Sequence, residues 1–138
     1  MANVHGRQIT DYLLTETIAL PAAASSTVVT DAIDLGLDLC KGGNYELELS
    51  VPALNATMAP DTRTFTYTVE SCTATNFSTI DKTLYNEVFT GASSAGIGAK
   101  VKVVGVPSDC ARYVRAKIVS GASTADASTL SATFRVLT

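Results

Sequence analysis

Side chains that could perform catalysis are few in this chain, and they are poorly arranged for it. The single histidine, His5, lies near the N-terminus, so a Ser-His-Asp or Cys-His pair has one candidate base. Glu46, Glu48 and Glu70 could supply the two carboxylates that glycoside hydrolysis requires. Glu46 and Glu48, however, are two positions apart in an alternating strand, where both fall on the solvent face without any special role. We therefore expect that the protein is not an enzyme.

Three aspartates near a glycine form the acidic group that could attract a hard cation. Asp31, Asp34 and Asp38 flank Gly36, and calcium takes several oxygen ligands of this kind. Their spacing matches no EF-hand loop, and Asp31 and Asp34 would lie on opposite faces of a strand. A zinc site is not expected either, since the chain has one histidine and no closely spaced cysteines. We expect neither a metal site nor a cofactor site.

A glycine-rich segment, residues 91–98, carries the first part of a phosphate-binding pattern. Gly91 and Gly96 have the spacing of the two P-loop glycines, but Ile97 and Gly98 stand where the lysine and the hydroxyl residue should be. A strand rather than a helix is predicted to follow, so no helix N-terminus would meet a phosphate. The segment is expected to be a hairpin loop.

The cysteines and the first residues favour folding in a reducing compartment. Cys40, Cys72 and Cys110 are odd in number and far apart, unlike the cysteines of a secreted disulfide framework. Residues 1–7 lead into a polar stretch without the apolar region of a signal peptide. We expect reduced, packed thiols and synthesis in the cytoplasm.

Composition limits both the domain count and the class of partner. A chain of 138 residues is most economically one domain, and 46% hydrophobic against 17% charged residues indicates a folded core. The net charge of −3 argues against nucleic-acid binding, which depends on phosphate contacts. No apolar run approaches the roughly 20 residues that a membrane-spanning helix needs. Neither nucleic acid nor membrane is expected as a partner.

Alternation of polar and apolar residues dominates the sequence and predicts β-strands with one solvent face and one buried face. It is clearest over residues 44–51, 64–70 and 129–136. The predicted strands cover residues 14–20, 27–35, 45–51, 64–71, 83–90, 99–106, 111–120 and 129–137. About eight strands joined by short loops predict an all-β, two-sheet sandwich, and the connections of five to ten residues favour the jelly-roll type.

The division of the chain follows from where this alternation begins. Residues 1–13 are mixed and show no period, and they are predicted to form an extended N-terminal arm. Residues 14–138 are predicted to form a single jelly-roll domain. Within it, residues 83–90 are apolar on both faces, which indicates a strand that is covered on both sides or faces a partner.

Several segments occur in an order that resembles a known family. A small-residue turn is followed by Asp31-Ala32-Ile33-Asp34-Leu35-Gly36 and then by the alternating strand Tyr45-Glu46-Leu47-Glu48-Leu49. Arg112-Tyr113-Val114-Arg115 and the small polar hairpin Gly121-Ala122-Ser123-Thr124-Ala125 come later. In these segments, from Ile18 to Val136, the chain resembles tailed-phage capsid cement (decoration) proteins, and the Bordetella phage cement protein family in particular.

The resemblance implies a structural virion protein that binds the outer surface of an expanded icosahedral head. Its partners would be the major capsid protein and further copies of itself, with a dimer favoured and a trimer as the alternative. It would be made in the host cytoplasm and end on the outer capsid surface. For capsid contact we expect side chains of the arm, namely Val4, Arg7, Ile9, Tyr12 and Leu13. For the homo-oligomer face we expect Tyr85 and Phe89, although core packing between two layers explains those two rings equally well.

A second hypothesis is a ligand- or carbohydrate-binding β-sandwich module of a phage tail or fibre. Such a module needs an exposed aromatic platform or a calcium-lined groove. The chain has no tryptophan, and its tyrosines would make only a weak sugar-stacking platform. The composition therefore favours the cement hypothesis.

Overall fold

The computed structural model describes residues 10–36 and 45–137, with the side chains described from Leu14 onward. These two ranges form nine β-strands. Their bounds are β1 Thr10–Ala19, β2 Thr27–Val29, β3 Ile33–Asp34, β4 Glu46–Val51, β5 Thr64–Cys72, β6 Lys82–Thr90, β7 Lys100–Gly105, β8 Tyr113–Ser120 and β9 Ser131–Leu137.

The strands form two antiparallel sheets that pack face to face. The first sheet has the order β1-β9-β4-β7, and the second has the order β2-β8-β5-β6, with β3 also paired to β8. Apart from β2 and β3, only β5 and β6 follow each other in the chain and also share a sheet, and the remaining connections cross between the sheets. This is the jelly-roll arrangement, so the predicted fold class is confirmed.

The second predicted strand is divided into β2 and β3. Both pair with β8, but between them the hydroxyl of Thr30 accepts a hydrogen bond from the amide of Ala116 at 3.0 Å. The amide of Thr30 in turn donates to the Ala116 carbonyl, also at 3.0 Å. The Thr30 hydroxyl thus accepts an amide hydrogen bond that a backbone carbonyl would accept in a regular strand ladder. The predicted strand is therefore interrupted between β2 and β3.

The first strand begins earlier than the sequence predicts. β1 starts at Thr10, which pairs with Leu137, and a register shift separates this pair from that of Thr15 with Arg135. An irregularity of this kind breaks the period-two pattern that the sequence prediction depends on. Tyr12 and Leu13, predicted in the arm, therefore lie in a strand, whereas residues 1–9 lie outside the described part.

The core fills the space between the two sheets with the inward residues of each strand. β4 contributes Leu47, Leu49 and Val51, and in β9 every second residue from Ala132 to Val136 is buried. The largest completely buried side chains include Tyr67, Phe65 and Phe134. Burial on this scale is the main source of folding free energy for such a domain.

The glycine-rich segment is a loop, and it is anchored to the rest of the domain. Ile97 is buried and forms an isolated bridge with Leu54, while Ala92 bridges to Gly96. A Cβ on Gly96 would lie 2.0 Å from the carbonyl oxygen of Leu54, so a side chain there is sterically excluded. Its glycines allow close approach of two backbone segments, which is a structural role.

Candidate binding surface at the edges of the two sheets

The two most exposed long strands are β6 and β7, and each is the edge of its sheet. Neither strand contains a single fully buried residue, whereas their inner neighbours alternate or are buried almost throughout. β6 and β7 follow each other in the chain and lie on the same side of the sandwich. We call the surface formed by their side chains the β6–β7 surface.

On β7 the alternation of valine and lysine places two chemistries on two faces. Leu49 and Val51 of β4 point into the core, and they pair with Lys102 and Lys100, so these lysines point toward the second sheet. Val101 and Val103 lie between them and point outward, and their exposed fractions are 63% and 42%. β7 thus has an apolar outer face and a cationic inner face.

On β6 the rings of Tyr85 and Phe89 point between the sheets and are half-buried. The ring of Phe89 lies 4.9 Å from that of Tyr67 in the core. The Lys100 ammonium lies 4.9 Å from the centre of the Phe89 ring, and the Lys102 ammonium lies 5.2 Å from that of Tyr85. The structure therefore places both predicted interface rings at the rim of the core, where two lysines cover them through cation–π contacts.

The hydroxyl of Tyr85 forms a hydrogen bond at the solvent-exposed end of the ring. It donates a hydrogen bond to Glu87 at 3.0 Å. Partial burial, together with this bond and the negative charge of Glu87, raises the pKa of Tyr85 to about 12. The hydroxyl therefore keeps its proton to a higher pH than an exposed tyrosine, and the half-buried ring covers part of the core edge.

Two exposed valines, Val101 and Val103, form the apolar part of the β6–β7 surface, on the outer face of the first sheet. Val88 of β6 is 55% exposed and pairs with Thr66, on the outer face of the second sheet. With Val101 and Val103 it accounts for three of the five large exposed hydrophobic side chains in the two described ranges, and the other two are Val29 and Ile80. Val88 therefore points away from Val101 and Val103, and the two valines of β7 are the neighbouring apolar pair that a protein partner would cover.

The two lysines of β7 form no ion pair within the described part of the chain. There, Lys100 and Lys102 have no carboxylate within ion-pair distance, although most other cations do. The ion pairs present are Lys82–Asp109, Arg112–Asp34, Arg115–Glu70, Lys117–Glu70 and Arg135–Glu48. Lys100 and Lys102 therefore place two positive charges on this edge against the one negative charge of Glu87, on a chain whose net charge is negative.

Sequence reasoning missed a buried ion cluster on the outer face of the second sheet. Glu70 is only 2% exposed, and its Oε1 accepts a hydrogen bond from Arg115 Nε at 2.7 Å. Lys117 Nζ lies 3.3 Å from its Oε2. The loop after β5 folds back over this face, and Phe77 stacks on the Arg115 guanidinium at 4.3 Å. Alternation alone predicts a solvent-exposed Glu70, because it carries no information about a loop that covers the strand.

The aspartates near Gly36 do not form a metal site within the described residues. Asp34 accepts two hydrogen bonds from Arg112, at 2.7 and 2.8 Å, and one from the amide of Gly36 at 2.8 Å. The Arg112 bonds first, and then the Gly36 amide, lower the pKa of Asp34. Asp31 is exposed, and Asp38 lies outside the described part.

The remaining predicted groups are accounted for as follows. Cys72 and Cys110 are buried, and the Cys72 thiol donates to the Thr79 carbonyl at 3.0 Å, while Cys40 is not described. The predicted capsid-contact residues Val4, Arg7 and Ile9 also fall outside the described ranges. Across residues 10–36 and 45–137, no group of three or more His, Cys, Asp or Glu side chains is placed to share a metal ion. The same ranges hold no helix with the length and apolar character to cross a membrane.

No protein-family model matches this chain, and no curated protein matches it. Solved structures that resemble it are β-sandwich domains. The K3 adhesin domain of Lys-gingipain from Porphyromonas gingivalis is 20% identical, with a TM-score of 0.44, and the match covers 80% of this chain and 59% of that one. For the K1 adhesin domain of the same protein the values are 16%, 0.40, 95% and 88%.

A third similar structure holds the CBM22-1 and GH10 modules of xylanase 10B from Clostridium thermocellum, solved with xylohexaose. It is 14% identical, with a TM-score of 0.39, and the match covers 94% of this chain and 25% of that one. At identities and TM-scores of this size the likeness concerns the general sandwich architecture. It assigns no partner to this chain.

Proposed function

We propose that this protein is a capsid cement protein, which binds the outer surface of an expanded phage head and stabilises contacts between major capsid subunits. One observation carries the proposal: Val101 and Val103, which are among the three most exposed large apolar side chains of the described residues, lie on one face of the edge strand β7, beside a core rim that Lys100 and Lys102 cover. A surface of this kind binds protein better than it binds a small polar ligand. The chain would act without catalysis.

The physical basis of cementing is preferential binding to one state of the shell. A protein that binds the expanded lattice and not its alternatives lowers the free energy of the expanded state by mass action. Each copy adds a modest amount, and the contributions sum over all equivalent positions of the icosahedral shell. The rigid two-sheet sandwich suits this role because it presents its edge strands in fixed geometry.

The first test is quantitative mass spectrometry of phage particles purified on a density gradient. A cement protein should be present in a copy number comparable to that of the major capsid protein. A handful of copies per particle would assign the protein to the tail or the portal vertex. Absence from the particles would contradict the proposal and favour a ligand-binding module, for which a thermal-shift screen with sugars and calcium is the next measurement.

The second test asks whether the β6–β7 surface is the contact. Val101→Asp places a charge in the exposed apolar patch, whereas Thr17→Asp places the same charge on the opposite edge of the same sheet, where Thr17 is also exposed. We expect Val101→Asp to lose binding to heads that lack the protein, and Thr17→Asp to keep it. Equal binding by the two variants would remove this surface from the proposal.

A further inference from the structure

We propose that β7 is completed by one more strand, contributed by an extended segment of a partner protein in which acidic and apolar residues alternate. The inference rests on the proposed function, because it describes how this protein would hold its partner.

Within residues 10–36 and 45–137, the backbone of β7 is paired on one side only. Residues 100–105 pair with β4 in continuous antiparallel register, from Lys100 opposite Val51 to Gly105 opposite Glu46. Among the described residues no strand pairs with the other side of β7, since it ends the order β1-β9-β4-β7. The outward amides and carbonyls of an edge strand are a template for another strand, as in recognition by strand addition.

The side chains of β7 define what an added strand must carry. A residue placed opposite another in a sheet lies on the same face, so apolar residues are required opposite Val101 and Val103. Acidic residues are required opposite Lys100 and Lys102, which have no carboxylate partner in the described chain. The added strand would therefore alternate acidic and apolar side chains.

The same charges argue against a second copy of this chain as the occupant. An antiparallel pairing of two β7 strands that keeps both sandwiches on one side of the joint sheet places lysine opposite lysine, for example Lys100 opposite Lys102. Like charges directly opposite each other destabilise a sheet. Turning one copy over avoids this contact but sets each valine opposite a lysine. An alternating acidic and apolar strand places a carboxylate opposite each lysine and an apolar residue opposite each valine. A second copy cannot do both in either orientation.

An added strand would also cover the open rim of the core. The flank of Val101 and Val103 that faces the added strand would be covered, and the lysines over Phe89 and Tyr85 would gain ion pairs without leaving the rings. Partial burial makes such cross-strand ion pairs stronger than ion pairs in open solvent.

The test uses a fluorescein-labelled peptide, Ser-Glu-Val-Glu-Val-Glu-Ser, titrated with the purified protein and followed by fluorescence anisotropy. Two matched peptides serve as controls, one with lysine in place of each glutamate and one N-methylated throughout. We expect the acidic peptide to bind at least about tenfold more tightly than the lysine peptide, given two opposed charge pairs. The N-methylated peptide should not bind, because it cannot donate ladder hydrogen bonds.

Charge reversal in the protein completes the test. Lys102→Glu should abolish the preference between the acidic and the lysine peptide, because Lys100 offsets the new negative charge, and the double variant Lys100→Glu/Lys102→Glu should invert it. Lys102→Gln should reduce the preference without inversion. Lys102 is exposed and Lys100 is half-buried on an edge strand, and an unchanged melting temperature confirms that each variant is folded. Equal affinity for the two peptides, or binding of the N-methylated one, would overturn strand addition.

The failure of this inference can be separated from failure of the proposed function. If Val101→Asp abolishes binding to heads while the acidic peptide does not bind the native protein, cementing stands and strand addition is wrong. If sedimentation shows a dimer that Val101→Asp abolishes and the peptide does not bind, the edge belongs to a second copy. Either result would reject the acidic strand as the occupant of β7.

Discussion

At the scale of single residues, the buried carboxylate of Glu70 is predicted to contribute strongly to stability. Its removal in Glu70→Gln leaves two cations, Arg115 and Lys117, without their anion on a face that Phe77 covers. Breaking a buried ion pair from one side costs several kcal/mol, and both cations keep some solvent exposure here. We expect a loss of about 2–3 kcal/mol in the free energy of unfolding, measured by urea denaturation.

A matched control is available on the other sheet. Glu48 pairs with Arg135 at 2.7 Å on the outer face of the first sheet, where the guanidinium is more exposed than that of Arg115. Glu48→Gln should cost no more than about 1 kcal/mol. Equal losses for the two variants would mean that the Phe77 loop does not shield Glu70 from water in solution.

The raised pKa of Tyr85 gives a prediction at alkaline pH. The folded-state value of about 12 exceeds the unfolded value of 10.0, so the unfolded chain loses this proton first as pH rises. The contribution of Tyr85 to stability is therefore complete below pH 10 and is lost as pH rises toward about 12. We expect Tyr85→Phe to lose stability less steeply than the native protein over this range. Urea midpoints at pH 9, 10 and 11 measure this, and parallel curves would contradict it.

At the scale of elements, the glycine-rich loop between β6 and β7 is held in place by close packing of its backbone against Leu54. Gly96 has a φ of +65° and would place a Cβ 2.0 Å from the Leu54 carbonyl, whereas a Cβ on Gly98 meets nothing within 4 Å. We expect Gly96→Ala to cost about 3 kcal/mol or more and Gly98→Ala to stay within about 0.5 kcal/mol. Thermal unfolding of the two variants measures the difference, and similar melting temperatures would show that the loop is not held against Leu54.

Most of the strands could be predicted because period-two alternation survives wherever one face is buried. β4, β8 and β9 alternate between buried and less buried residues along their length, and the sequence predicts all three. β5 departs from this rule after Tyr67, since Thr68 and Glu70 are also buried. At Glu70 the loop after β5 adds to this burial through Phe77, which stacks on Arg115, and Thr68 bonds to Asn86 of β6. Neither contact is contained in a local pattern.

For the edge strands, too, the local sequence pattern does not determine the environment of each face. Residues 83–90 are apolar on both faces, and this pattern predicts equally a doubly covered strand or a partner face. The structure places the Tyr85 and Phe89 rings at the core rim and leaves Val88 exposed, so the two faces have different environments. The pairing of Lys100 and Lys102 with these rings depends on β6 and β7 being neighbours across the sandwich. That neighbourhood is a property of the topology and is not encoded in either strand.

At the scale of the whole molecule, the jelly roll separates stability from binding. The central strands β9, β4, β8 and β5 are paired on both sides and supply most of the buried residues, while β6 and β7 remain outside this frame. Substitutions on exposed positions of β7 should therefore leave the fold intact, because such positions usually change stability by less than about 0.5 kcal/mol. Substitutions on the β6–β7 surface can therefore test binding without unfolding the protein.

If the protein acts as cement through β7, the thermal stability of phage heads should depend on its exposed side chains. Heads from a phage with the gene for this protein disrupted should release DNA at a lower temperature than native heads. Adding purified protein should restore the release temperature in a saturable manner, since stabilisation by binding follows ligand concentration relative to the dissociation constant. Thr17→Asp should restore it fully and Val101→Asp should not, although both proteins should melt at the native temperature by themselves. Full restoration by Val101→Asp would place the cementing contact elsewhere on the sandwich, because a charge in the apolar patch cannot be buried against a partner without a large desolvation cost.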